Sequence, residues 1–277
     1  MATGQNHGGN QPVTSSSPAA GQIVIRDCHT LDEFRACVAL QQEVWQYEDA
    51  DLVPAKMFVV ADKVGGQIIG AYEGDTLVGY AFSVPGTRAG HSYLHSHMLA
   101  VRESYRNSGL GRRLKLAQRE DALKRGFELI EWTFDPLEIK NAHLNIFRLG
   151  VVVRRYSINH YGYSSSVLHR GLPTDRLVAE WWLKSNRVKN LLEKGREPSF
   201  PVNKKISVPA EIYAWRNSES DREKAAAVQK RNREEFFEAF SQGLAVLGYE
   251  RDSHGNGSFL LGRWDENCSY ASEENDE

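Results

Sequence analysis

Cysteine is scarce in this chain. Cys28, Cys37 and Cys268 make an odd number, with no spacing that would gather metal ligands. No metal is therefore expected, and free thiols suit a reducing, cytoplasmic setting. Cys37 falls on the apolar side of an expected helix, where a thiol behaves as a small hydrophobe. Long apolar runs are also missing. None approaches the roughly 20 residues that a bilayer span requires, so no membrane partner is expected. Charge of one sign is lacking too: a formal net charge of -2 argues against a protein that coats nucleic acid, and no nucleic-acid partner is expected. Residues 1–21 have neither the basic start nor the apolar middle of a secretory leader and are rich in Gly, Ser, Asn and Gln, so a disordered tail is expected there. No internal repeat of solenoid length is visible.

What is present is ordinary globular material: 277 residues, 41% hydrophobic and 25% charged. Ile23 and Ile25 suggest a short strand. Thr30 followed by Glu33 is a capping-box signature, and Phe34, Cys37, Val38, Gln41 and Trp45 continue at helical spacing. Pro54 is placed to open a second helix. Ile68 to Tyr72, then Glu73-Gly74-Asp75, then Leu77 to Val84 read as a hairpin. A strand is expected over 93–101, a long helix over 109–125 ended by Gly126, a strand over 129–134, a short helix over 141–149 and two more strands over 151–156 and 177–183. This order predicts an α+β (α/β) fold with a mixed, largely antiparallel sheet. Beyond it lie an expected helix over 221–242 and a hairpin around Gly255-Asn256-Gly257. The expected organisation is a main domain over 22–185, a helix-and-hairpin extension over 186–264 that packs against it, and an acidic tail over 265–277.

The chemistry-bearing stretch is Arg106-Asn107-Ser108-Gly109-Leu110-Gly111, between an expected strand and the long helix. A glycine-rich turn there aims unpaired main-chain N–H groups at one point, and the helix dipole adds partial positive charge. Glycine matters because a Cβ blocks close approach of a ligand or a left-handed turn. Leu110, Gly111 and Arg112 are candidate N–H donors, and Arg106 and Arg112 stand near the anion. Alone, such a pattern also fits a plain helix start with solvated arginines.

In its context this stretch resembles the signature R/Q-x-x-G-x-G/A of the GNAT acetyltransferase superfamily. The resemblance covers about residues 23–183, with 96–125 similar to the acyl-CoA-binding core and Asn141-Ala142, then Phe147 to Gly150, similar to a second, less specific motif. The segments Gly171 to Leu177 and Glu180-Trp181-Trp182-Leu183, with the C-terminal extension, resemble a bacterial subgroup of no assigned function. The resemblance implies acetyl-CoA or another acyl-CoA as co-substrate, held by Arg106, Asn107, Ser108, Gly109, Leu110, Gly111, Arg112 and Asn141. It implies pantetheine against the main chain of Leu99, Ala100 and Val101, in a gap left where that strand parts from 129–134. A main-chain N–H near Leu99 or Ala100 then polarises the thioester carbonyl, and an amine attacks it directly.

An alkyl ammonium, with a pKa of about 10.4, must lose a proton before it attacks. Glu131 is a candidate base beside the gap. His95 and His97 are others, since residues two apart share a strand face; an exposed or hydrogen-bonded structural role is the favoured alternative for both. Asp135 and Glu138 could bind a cationic acceptor or lie solvated in a loop. Trp181, Trp182, Tyr161 and Tyr163 could line a pocket or pack in the core. The tyrosine that many family members carry before the closing glycine is absent: the count from Gly150 reaches Ile146 or Phe147, and Tyr156, Tyr161 and Tyr163 are the candidate replacements.

The expected function is therefore N-acyl transfer to a small-molecule amine by a monomer or homodimer. The alternatives are a non-catalytic acyl-CoA sensor, which the missing tyrosine favours, and transfer to a protein or tRNA docked on the extension.

Overall fold

The computed structural model describes residues 21–162 and 171–264. Most of the expected N-terminal tail, the acidic tail, Tyr163 and Cys268 lie outside the described residues.

The chain opens with strand β1 (Ile23–Asp27) and helix α1 (Leu31–Trp45). Thr30 caps α1 with the expected box: its hydroxyl accepts from the Glu33 N–H at 3.3 Å, and Glu33 accepts from the Thr30 N–H at 3.0 Å. Pro54 precedes helix α2 (Ala55–Lys63). The hairpin β2 (Gln67–Glu73) and β3 (Thr76–Arg88) follows, then β4 (His91–Val101), α3 (Leu110–Lys124) and β5 (Leu129–Phe134). The expected short helix is one α-turn, α4 (Ile139–Ala142), that widens into a π-helical turn over His143–Arg148. Strands β6 (Val152–Ser157) and β7 (Arg176–Trp182) come next.

The C-terminal segment has more structure than its sequence signals. Helix α7 (Arg222–Ser241) and the hairpin β9 (Leu244–Arg251) and β10 (Gly257–Arg263) match their patterns. Helix α5 (Asn186–Lys194), strand β8 (Lys204–Val208) and helix α6 (Ile212–Asn217) have no counterpart in the sequence reading. Each is short, between five and nine residues, so its apolar pattern is too brief to show a period.

The described strands form one open sheet in the order β1-β2-β3-β4-β5-β7-β6-β9-β10-β8. Among the described residues β4 and β5 are the one parallel pair; the other neighbours run antiparallel. Both faces near β2 to β4 are covered. Phe34, Cys37, Leu40 and Phe58 of α1 and α2 pack on Ile68, Tyr80, Phe82 and Met98, whereas Leu110 and Leu114 of α3 pack on Ile69, Val78 and Ala81. Two-sided burial explains why Ile68 to Tyr72 is a continuous apolar run and not an alternating one.

The largest core joins both halves of the chain. Ile130, Trp132, Val153 and Trp181 share it with Ile206, Val228, Phe236, Leu244 and Phe259. Phe236 is fully buried, edge-on to Phe259 at 5.2 Å between centroids and 5.7 Å from Tyr156.

Phe236→Ala is expected to cost about 3–5 kcal/mol of stability through the cavity it leaves. Urea unfolding measures this, and a loss below about 1 kcal/mol would contradict a shared core. Ending the chain after residue 185 strips the same core and should give aggregated protein that lacks a cooperative melt.

Candidate functional site

The site grows from a fork in the sheet. The β4–β5 ladder contains two pairs, Leu94 with Ile130 and His95 with Glu131, and then stops while both strands continue. A bulge in β4 coincides with the parting. Phe82 pairs with Met98 but Ser83 with Ser96, which leaves His97 as the extra residue. The bulge also resets which side chains face which layer. Ser96 faces α3, bonding Lys115 and Gln118, yet Met98, two residues on, joins the α1/α2 core.

Beyond the bulge the main chain alternates cleanly. The Arg102 N–H donates to Val78 O of β3 at 2.9 Å. Ala100 turns the same way, with its carbonyl 2.9 Å from where a Gly79 Cβ would stand. Ala100 therefore does not fit its expected contact with pantetheine: its main chain serves β3 and its methyl is buried against α1 and α2. Leu99 and Val101 turn their main chains towards the side that β5 has left.

At the mouth of this gap lies the glycine turn. Asn107 and Gly109 have φ of +61° and +83°, a left-handed pair that curls the chain so that the first N–H groups of α3 point outward. The Ser108 hydroxyl donates to Tyr105 O at 2.6 Å and braces the turn. Gly111 is informative. It sits in the first turn of α3, where glycine is a poor helix former, yet a Cβ there would meet Leu99, Leu144 and Val101 at an ordinary 3.7–4.0 Å. No clash with the described residues therefore requires a glycine at this position.

Basic groups converge on the same place. Arg106 Nε donates to Val101 O at 3.2 Å, and its exposed guanidinium stands at the mouth. Arg112 lies close to Arg148 of the π-helical turn; partial burial, then the Arg148 charge, lowers its pKa. None of the described ion pairs includes Arg106, Arg112 or Arg148. Unneutralised guanidiniums at a helix N-terminus suit an anion such as a diphosphate. Asn141 is exposed on the opposite wall and accepts from Asn145 Nδ2 at 3.3 Å.

The fork is held on both faces. On the α3 face Lys115, only 2% exposed, donates to Ser96 Oγ at 2.7 Å and lies 3.7 Å from the centroid of the Trp132 ring. It thereby joins β4 to β5, and burial pushes its pKa well down. On the other face Glu131, 5% exposed, accepts from Arg88 Nη1 and Nη2 at 2.8 and 2.9 Å and also pairs with Arg155 of β6. Next to it Glu180 accepts from Arg154 Nε at 3.1 Å and Trp182 Nε1 at 3.1 Å.

These partners bear on Glu131 as a base. Burial pushes its carboxyl up, but Arg88 and Arg155 outweigh that and hold it below the usual carboxylate range. Both its oxygens are engaged by guanidiniums, so it orders arginines and is poorly placed to take a proton. Asp135 and Glu138 are likewise occupied, both by Arg216 of α6, at 2.9 and 3.1 Å. Trp181 is wholly buried, edge-on to Trp132 and bonded through Nε1 to Leu149 O at 2.7 Å, which makes it core. Tyr156 is bonded to Asp175 at 2.6 Å, away from the fork, whereas Tyr161 is 45% exposed and bonds Thr133 of β5 at 3.0 Å.

His95 and His97 come together, their ring centroids 6.3 Å apart. Burial, with a smaller push from His97, lowers the His95 pKa to about 4; burial lowers that of His97, which keeps an exposed edge. Both rings are neutral at pH 7. Arg88, Lys115, Arg148 and Arg155 escaped the sequence reading, because their roles depend on partners far along the chain.

Fold and site define an open, mostly antiparallel sheet that parts between two parallel strands above an anion-attracting helix start. Residues 29–144 match the family described as "Acetyltransferase (GNAT) family", and the fold is the GNAT fold. Solved structures that are similar include the ribosomal-protein-S18-alanine N-acetyltransferase of Escherichia coli, at 15% identity and TM-score 0.48, spanning 59% of this chain and 96% of that one. Another is the aminoglycoside 6'-acetyltransferase type Ii, at 18% identity and TM-score 0.47, spanning 59% and 99%. A third is a putative acetyltransferase from Salmonella typhimurium with its cofactor acetyl-CoA, at 15% identity and TM-score 0.48, spanning 60% and 96%. No curated protein matches the sequence. Among the described residues no helix is long and apolar enough to cross a membrane, and no cluster of His, Cys, Asp or Glu could hold a metal.

The depressed pKa of His95 has a visible consequence. Its ring should titrate near pH 4, not near the ordinary value of about 6.5. Its neutral state therefore contributes stability above about pH 6.5 that is lost as the pH falls towards about 4. NMR of imidazole-labelled protein follows this directly, and a His95 midpoint above pH 6 would show the ring to be solvated.

Proposed function

We propose that this chain is an N-acetyltransferase that moves an acetyl group from acetyl-CoA to an amine. One observation carries the reading: the β4–β5 ladder ends after two pairs, directly beside a helix start that gathers main-chain N–H groups and arginines that have no carboxylate partner among the described ion pairs. That combination suits a long ligand with an anionic middle and a slender uncharged arm.

Acetyl-CoA, when bound, supplies an activated acyl group in the form of a thioester. The N–H groups of Leu110, Gly111 and Arg112, with Arg106, Arg112 and Arg148, hold the diphosphate. Leu99 and Val101 offer main-chain hydrogen bonds to the arm, and the Leu99 N–H is the candidate oxyanion donor. The neutral imidazole of His97, at the bulge with an edge open to water, accepts the proton of the incoming amine and passes it to solvent. His95 keeps the neighbouring surface uncharged. The π-helical turn offers no hydroxyl at Ile146 or Phe147, so the thiol, with a pKa near 8.5 in the free state, leaves without a tyrosine acid there.

Gly111 gives the cleanest test. Gly109 has left-handed φ, so a branched residue there strains the fold whatever binds. At Gly111 a Cβ is tolerated by the protein but intrudes on the ligand. Gly111→Val should weaken acetyl-CoA binding at least about tenfold by titration calorimetry, about 1.4 kcal/mol. Gly111→Ala should melt no lower than the parent protein. Unchanged affinity in a folded Gly111→Val protein removes the reading.

A further inference from the structure

Two thiols lie together beneath the first helix, where neither the fold nor the candidate site uses them as thiols. Cys28 follows β1 and Cys37 sits in α1. Both are free, at 1% and 0% exposure, and both belong to the core that α1 and α2 form on the sheet. Their sulfurs share a hydrogen bond in which the Cys37 thiol donates to Cys28. The place of Cys28 is closely fitted. Its N–H donates to Ile68 O of β2 at 2.8 Å, and β2 carries Gly70 beside the sulfur, where a Cβ would stand 2.8 Å from Cys28 Sγ.

The two thiols differ in acidity. The hydrogen bond from Cys37, helped by Tyr72, outweighs burial and holds the Cys28 thiol below its usual range, whereas the same bond and burial push Cys37 up. Burial by itself makes a cysteine inert, but a more acidic thiol in contact with a second one allows one sulfur to attack and the other to resolve. Cys28 is also shallow. Tyr72 Oη lies 3.1 Å from its sulfur and 3.3 Å from Glu33 Oε1, and the half-exposed Arg26 guanidinium lies 4.0 Å over the Tyr72 ring. One side chain therefore separates the sulfur from charged groups at the surface. Strand β1, which leads into Cys28, stands at the edge of the described sheet, a margin that opens more readily than the centre.

We propose that Cys28 and Cys37 are a redox-sensitive pair, which a peroxide oxidises to a disulfide that clasps the end of β1 to α1. The Cys28 thiolate attacks one oxygen of the peroxide, the O–O bond breaks and hydroxide leaves, so that the sulfur becomes a sulfenic acid. The Cys37 sulfur then displaces that hydroxyl as water and the S–S bond forms. In sum, two thiols and one hydrogen peroxide give one disulfide and two waters. Neither step depends on acetyl-CoA or on the acetyltransferase reading. The clasp fixes α1, the layer on which Tyr80 and Met98 pack, and Met98 adjoins the bulge at His97.

Trypsin separates the pair, because Arg35 lies between the cysteines: Cys28 falls in peptide 27–35 and Cys37 in peptide 36–56. The full-length protein is treated with hydrogen peroxide, its remaining thiols are blocked with iodoacetamide in urea, and it is digested without reductant. Mass spectrometry should find the two peptides joined, and dithiothreitol should part them. The oxidised protein should melt about 5 °C above the reduced one. Cys28→Ser should leave Cys37 reduced, and Cys37→Ser should leave a Cys28 sulfenic acid that dimedone traps. Peptides that stay apart and alkylated overturn the pair, as does a link that forms only when peroxide is added in urea, or either cysteine joined to Cys268 in preference to the other. An oxidised protein that melts lower than the reduced one overturns the clasp. The link is read in the unaltered chain, so a variant that fails to fold leaves the answer intact.

Discussion

Everything at this site depends on two parallel strands being held together at one end and apart at the other. A sheet left to itself pairs its main-chain groups along its whole length, because unmet buried N–H and C=O groups are costly. Here the pairing of β4 and β5 ends at His95 and Glu131. The bulge at His97 turns β4 away, and side chains on both faces keep the crotch from slipping. Lys115 joins Ser96 to Trp132 on one face, and Glu131 gathers Arg88 and Arg155 on the other. Because each clamp joins different strands, the fork is rigid where it closes and open where a ligand enters.

Charge is distributed to match. On the α3 side the mouth holds Arg106, Arg112 and Arg148 without acidic partners among the described ion pairs, next to the positive end of a helix. On the opposite face Arg88, Arg154 and Arg155 are paired with Glu131 and Glu180. Burying paired ions gives little net stability, yet removing one partner is expensive. The network of Glu131 and Glu180 is better understood as a device that fixes where guanidiniums point. Histidines kept neutral by burial lie beside this network without adding charge to it.

The C-terminal segment belongs to the same physical body. Strand β9 pairs with β6, and Arg216 reaches back to Asp135 and Glu138 at the end of β5. Arg187 of α5 donates to Gly150 O at 2.9 Å, beside the π-helical turn that carries Arg148. The segment therefore supports the second wall of the candidate cofactor groove from behind, and Asp135 and Glu138, two carboxylates that looked free to bind an acceptor, instead secure it.

Much of this was legible in the sequence, and for a common reason. The capping box at Thr30 and Glu33, the strand over 129–134, the hairpins and the glycine turn before α3 are written in residues that act on their immediate neighbours. A helix start attracts an anion wherever it lies, so Arg106 to Arg112 could be singled out without coordinates. The short α5, β8 and α6 were hidden because stretches of five to nine residues show no clear period.

Tertiary structure alone decided the rest. No glycine or proline marks His97 as a bulge; the register of β3 against β4 makes it one. The alternation of main-chain direction separates Leu99 and Val101 from Ala100. Glu131 meets Arg88 from 43 residues away and Arg155 from 24, and Lys115 meets Ser96 from 19. Those distances along the chain are closed by strand order and helix packing, which no local pattern encodes. A carboxylate that reads as a base in the sequence therefore becomes, once folded, the anchor of two arginines.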